Sequence, residues 1–240
     1  MKYFALEHSK NKKILGRFNQ CSKILHNCHV DNEPNFIDRH PFEKIEFTPI
    51  LSTLVLDPKS KITDLIKVSS TGFSFGSVVI SEKLKNIFEG LNCYGLQFFA
   101  THLLQDNDVI NRYWQTHIYD SPFQYVDFEK SKFTLMNTEN SIAIEENIRI
   151  HDVKEFINQN ESLDYPKKII IKNIVFKENF DLDYFLLRYL EKGGNHGIVS
   201  EKLKNEIENQ GITGIEFRPI EISFQDWLRS DEREKIYGKV

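Results

Sequence analysis

Cysteine is scarce in this 240-residue chain: Cys21, Cys28 and Cys93 are the only three. An odd number of thiols in so long a chain excludes a disulfide scaffold and suits a reducing cytoplasm. Long hydrophobic runs are also absent. The apolar start Met1 to Leu6 meets Glu7, His8 and Lys10 at once, which is too short for a signal-peptide core. Leu51 to Leu56 and Tyr184 to Leu190 fall far short of the roughly 20 residues a membrane helix needs. Nor is there an excess of positive charge: 31 basic against 35 acidic side chains leave a net charge of −4. That balance argues against a general binder of nucleic acid or anionic membrane and favours a basic partner. With 11 Gly, 7 Pro and 40% hydrophobic residues, the composition is neither disordered nor fibrous. A soluble cytoplasmic protein is expected, folding without disulfide, metal or cofactor, since a chain of this length can bury about 70–75% of its extended surface.

What the chain does contain is a repeat. Val79-Ile80-Ser81-Glu82-Lys83-Leu84-Lys85-Asn86 returns 119 residues later as Ile198-Val199-Ser200-Glu201-Lys202-Leu203-Lys204-Asn205. The match continues through Glu89/Glu208, Gly95/Gly214 and Phe98/Phe217. Each copy reads as a short buried strand, a Ser that caps a helix, an amphipathic helix, a Gly near its exit and a second strand. Leu84, Phe88 and Leu91 carry the helical spacing in the first copy, Leu203 and Ile207 in the second.

Around the copies, period-two alternation predicts strands at Lys2 to Leu6, Ile45 to Phe47, Leu51 to Leu56, Tyr125 to Phe128, Phe133 to Met136, Ile142 to Ile150 and Lys168 to Phe176. Asn11 to Gln20 reads as a loop, and residues 21 to 44 show no period. Leu96 to Leu104, the turn signal Gln105-Asp106-Asn107-Asp108 and Arg112 to Tyr119 predict an antiparallel hairpin on which Tyr113 and Trp114 face opposite ways. Pro219 places the second exit strand at an edge or bulge. Helices are expected over Ser60 to Val68, around Val153 to Ile157, and over Ile222 to Ile236 behind Ser223; Asp181 to Leu190 fits strand or helix. The fold class is therefore α+β, a mostly antiparallel sheet with two related strand-helix-strand units, at residues 78–104 and 197–222. Residues 1–60 are expected to pack as an N-terminal segment on a main domain of residues 61–240.

These residues carry a family resemblance. Met1-Lys2-Tyr3-Phe4, Asp64-Leu65, the Ile80 to Lys85 block with Gly95-Leu96-Gln97-Phe98, Val126-Asp127-Phe128-Glu129-Lys130-Ser131, and Val199-Ser200-Glu201-Lys202 ending in Thr213-Gly214-Ile215-Glu216-Phe217 together resemble immunity-protein family eleven of bacterial polymorphic toxin systems, formerly a domain of unknown function. The resemblance spans about Asp64 to Ile222. It implies a cytoplasmic protein that binds and neutralises a cognate toxin, often encoded beside it, with no catalysis of its own. Strand end, helix cap and buried Leu account for the repeated blocks structurally, so Ser81 and Ser200 are read as scaffold.

Other chemistry has weaker support. Cys21, His26, Cys28, His29 and His40 include zinc-ligand types, but at spacings that match no standard site. Gly193-Gly194-Asn195-His196-Gly197 leads into a strand, so it reads as a turn and not a phosphate cradle. Gly72-Phe73-Ser74-Phe75-Gly76 has the spacing of a nucleophile elbow without its strand and helix. His102 and His117, with Asp120, would form an acid–base pair if they met across the hairpin. A small enzyme using either histidine group is thus the alternative to an immunity protein, and a generic interaction module is a third reading. Acidic residues run from Glu139 through Glu145, Glu146, Asp152, Glu155 and Glu161 to Asp164. The candidate partner-binding residues are Asp106, Asp108, Tyr113, Trp114, Tyr119, Asp120 and Tyr125, which set carboxylates beside aromatic anchors as a binder of a basic toxin would.

Overall fold

A computed structural model describes residues 2–68 and 76–239. In chain order its elements are β1 (Tyr3–His8), α1 (Lys12–Leu15), β2 (Cys21–Leu25), β3 (Thr53–Leu56), β4 (Leu65–Ile66), β5 (Val79–Ser81), α2 (Glu82–Glu89), β6 (Leu96–Gln105), β7 (Asp108–Ile118), β8 (Lys132–Asn137), β9 (Ile142–Ile148), α3 (Val153–Ser162), β10 (Lys167–Asn173), β11 (Tyr184–Phe185), β12 (Ile198–Ser200), α4 (Glu201–Asn209), β13 (Ile215–Pro219), α5 (Phe224–Leu228) and α6 (Asp231–Tyr237). They form a six-stranded sheet ordered β2-β3-β6-β7-β5-β4, a four-stranded sheet ordered β11-β12-β1-β13, and a three-stranded sheet ordered β10-β8-β9. Among the described residues every strand pair is antiparallel except β3 with β6. The fold is α+β, as expected.

The repeat governs this architecture. Ser81 and Ser200 cap α2 and α4 by accepting from Leu84 N and Leu203 N. The inner faces of both helices, Leu84, Ile87 and Phe88 with Leu203 and Ile207, enter one core shared with Leu6, Leu65, Ile80, Val199 and Phe217. The likeness extends past the matching residues. Asp64 and Asp183 each lie 17 residues before a capping serine and accept its hydroxyl at 2.7 Å. Their second carboxylate oxygens cross to the other copy: Asp64 accepts from Thr213 N at 2.8 Å, and Asp183 from Asn92 N at 3.1 Å. Each copy therefore latches the helix exit of the other.

The central strands correspond as well. In the first unit β7 runs between β5 and β6, pairing Tyr113 with Ser81 and Trp114 with Ile80. In the second, β1 runs between β12 and β13, pairing Tyr3 with Ser200 and Phe4 with Val199. The first central strand follows its unit in sequence, whereas the second comes from the start of the chain. The segment before residue 60 thus supplies the middle of the second unit's sheet.

Several expectations need correction. Ser60 to Val68 is not helical: the Thr63 hydroxyl donates to Leu65 O at 2.7 Å, and Leu65 and Ile66 pair with β5 as a strand. Ile45 to Phe47 is not a strand, and at Tyr125 the backbone is a 3-10 turn, Phe123–Tyr125, with a single bridge from Val126 to Phe176. The featureless residues 21 to 44 contain β2, and the loop of Asn11 to Gln20 contains α1. The C-terminal helix is two helices, because Ser230 caps a second one. Pro219 does end an edge strand.

Candidate functional site

The β6–β7 hairpin places the candidate contact residues at its two ends. Asp106 and Asn107 turn the chain with φ of 50° and 72°, the left-handed pair that a two-residue hairpin loop requires. Asp106 and Asp108 are exposed there beside Val109, which is 56% exposed. Ten residue steps along β7, about 33 Å at strand rise, separate Asp108 from the other end, where Tyr119, Asp120 and Tyr125 gather. The Tyr94 hydroxyl donates to Asp120 at 2.5 Å, and the Tyr94 ring meets Tyr125 edge-on at 6.5 Å. Burial, reinforced by the Asp120 carboxylate, raises the pKa of that phenol. Tyr94 escaped the sequence reading; its only signal was its place directly before the repeated Gly95.

The two aromatic residues between these ends belong to the interior. Tyr113 is 7% exposed and donates its hydroxyl to Thr63 O at 2.8 Å. Trp114 packs half-buried on the central core, with the Lys85 ammonium 4.4 Å from its ring centroid. Lys204 stands likewise 5.4 Å from Phe4, so this cation–π contact is a property of the repeated unit. Within the acidic stretch, Asp152 caps α3 by accepting from Glu155 N, and Glu155 accepts from the N–H of His151 just before the cap. Glu145 and Glu146 are exposed on β9, the outer strand of its sheet, with Ile142 and Ile144.

The candidate catalytic groups do not converge. His117 stands opposite Gln97 and donates Nε2–H to Glu43 O at 2.8 Å, while His102 falls at a register shift between Thr101 and Leu103. Burial lowers the His117 pKa. In the Cys/His loop, Cys21 Sγ lies 3.2 Å from Lys23 O, His26 pairs with Ser52 at 2.9 Å and His40 with Pro34 O at 2.7 Å. Among the described residues no group of three or more His, Cys, Asp or Glu is placed to hold a metal ion. The glycine-rich segment turns with φ of 75° at Gly194 and 100° at Gly197 before entering β12. The Gly72 to Gly76 spacing lies, apart from Gly76, outside the described residues. Among the described residues no helix is long and apolar enough to cross a membrane.

The model of one family, the immunity protein family Imm11, matches residues 3–222, from β1 to just beyond β13. None of the curated proteins matches the chain.

Proposed function

The chain belongs to the Imm11 immunity protein family, and on that premise we propose that it neutralises a cognate toxin in the bacterial cytoplasm by binding it, without catalysis of its own. The observation that carries this reading is the span of the family match, which takes in both latched units and both central strands. The hairpin supplies the proposed contacts: Asp106 and Asp108 at its tip, and Tyr119, Asp120 and Tyr125 at its base. Tyr113 and Trp114 support them from within. Exposed carboxylates on a chain of net charge −4 would speed the approach of a basic partner.

The test is stoichiometric protection. The toxin encoded beside this protein is titrated with the purified chain, and residual toxin activity is read with complex formation by size-exclusion chromatography. Protection should be complete at one equivalent and proportional below it. Full protection by a small fraction of an equivalent would instead reveal an enzyme, and no protection at any ratio would sink the reading.

A further inference from the structure

A cavity of about 650 Å³ lies on the outer face of the three-stranded sheet. Its floor is Met136 and Ile170, whose neighbours Phe133, Ile169 and Ile171 enter the opposite, buried face. Its wall is Phe42, Arg188 and Tyr189. The Arg188 guanidinium stands 4.3 Å from the ring centroid of Phe42, 5.7 Å from Tyr189 and 5.9 Å from Phe123. Its Nε is buried without a hydrogen-bond partner, and no ion pair joins the side chain among the described residues. The other buried arginines differ: Arg218 holds Glu7 and Arg233 holds Glu216. A half-buried guanidinium without an acceptor calls for an explanation.

Three further facts converge on the same cavity. Three aromatic rings crowd the guanidinium, and the N–H donors of its terminal Nη groups fit a carboxylate bidentately. Glu191 and Lys168 also line the cavity, but Glu191 pairs with Lys172 at 3.4 Å and forms no ion pair with Arg188, while Lys168 donates to Asn160 O and Leu163 O. Finally, Phe42, Ser141 and Tyr189, all lining the cavity, hold left-handed backbones with φ of 60°, 58° and 65°. Such conformations in residues with a Cβ cluster where a site is shaped for a ligand.

We infer that the Arg188 cavity receives a carboxylate side chain, Asp or Glu, of the toxin. This rests on the immunity reading and adds the chemistry of one contact. Phe123, buried in the same 3-10 turn as Tyr125, lies 5.9 Å from the Arg188 guanidinium and ties the cavity wall to the hairpin base from within. The toxin would then present a basic surface to the exposed carboxylates and one acidic side chain to Arg188.

The experiment compares Arg188→Met and Arg188→Lys with the wild type for toxin affinity and melting temperature. In a second arm, the Arg188 Nε–H resonance is followed as N-acetyl-glutamate N-methylamide or its glutamine counterpart is added to the free chain. Arg188→Met should bind the toxin at least tenfold more weakly while melting at or above the wild-type temperature, because it loses a charge that nothing among the described residues pairs. Arg188→Lys should fall between, and the glutamate probe alone should shift the resonance. Wild-type affinity in Arg188→Met overturns the inference and leaves the immunity reading intact. Loss of affinity together with a lower melting temperature in both variants makes Arg188 a structural stack and overturns it too, as does an equal response to the two probes. A wild-type chain that binds no toxin removes the immunity reading, and the toxin as occupant with it.

Discussion

The hydroxyl of Ser200 does two things at once: it accepts from Leu203 N at 3.1 Å and donates to Asp183 at 2.7 Å. Ser81 does the same for Leu84 N and Asp64, but in a half-buried setting, whereas Ser200 is 0% and Asp183 2% exposed. Burial alone would raise the Asp183 pKa; the Ser200 hydroxyl, the Asn92 N–H and the Lys202 ammonium outweigh it and leave the carboxyl below its ordinary value. Ser81→Ala should therefore cost about 0.5–2 kcal/mol, the worth of a cap. Ser200→Ala should cost about 1–3 kcal/mol more, because a buried carboxylate loses a donor that water cannot replace. Urea denaturation of the two variants checks this, and equal losses would reduce both serines to caps. The serines were legible in the sequence because the repeat is identical around them. The role of the aspartates was not: Asp64 entered only through the family resemblance, and each aspartate stands just before a strand, Leu65-Ile66 or Tyr184-Phe185, too brief to show a period.

Between helix and exit strand, each copy passes through a glycine that no other residue replaces cheaply. Gly95 has φ of 67°, and a Cβ there would lie 2.3 Å from Asp120 O; at Gly214, with φ of 89°, it would lie 2.5 Å from Leu65 O. Both neighbours are backbone atoms, so neither can swing aside. Gly95→Ala and Gly214→Ala should each destabilise the fold by more than the roughly 1 kcal/mol of an ordinary left-handed alanine. Thermal melts check this, and a melting temperature within a degree of wild type in either variant would contradict the close approach. The latching of each unit to the other was invisible beforehand for a physical reason. A sequence repeat records only what both copies retain, and the equivalent central strands, Tyr3–His8 and Tyr113 to Ile118, share an aromatic pair but little else. One precedes its unit and the other follows it, so no single sequence offset relates them to the helices. The hairpin was legible because its turn residues and alternation agree. The burial of Tyr113 was not, because alternation says that two faces differ and cannot say that both are covered.

At the scale of the whole molecule, stability depends on where distant parts of the chain meet around β1 and β13. Glu216 accepts from Lys10 N at 2.6 Å and from the Nε–H and Nη2–H of Arg233, at 2.9 and 2.8 Å, tying the N-terminal segment to α6. Beside it His8, 6% exposed, packs its ring 4.4 Å from that of His196. Neither Nδ1 has a hydrogen-bond partner. Lys67 lies over Phe18 in the same region. Burial, then the neighbouring His196, Lys10 and Lys67, lowers the pKa of His8 well below 6.5; burial and Lys10 bring His196 down to about 4, and burial and Lys10 bring Lys67 down to about 8. Each of these groups binds its proton more tightly in the unfolded chain. Stability is therefore lost as pH falls through the interval between the unfolded and the folded value. For Lys67 that interval runs from 10.5 to about 8, and for the histidines it begins at 6.5. A plateau is expected between the two, followed by a decline below 6.5 that approaches about 1.4 kcal/mol per pH unit for each histidine kept neutral. Denaturant melts from pH 8 to 5 measure it. His8→Phe should keep the plateau and flatten the decline, since it removes one titrating group while filling its space. If the variant declines as steeply as the wild type, the acid sensitivity originates elsewhere, and the histidine contact between β1 and the Gly197 turn is only packing.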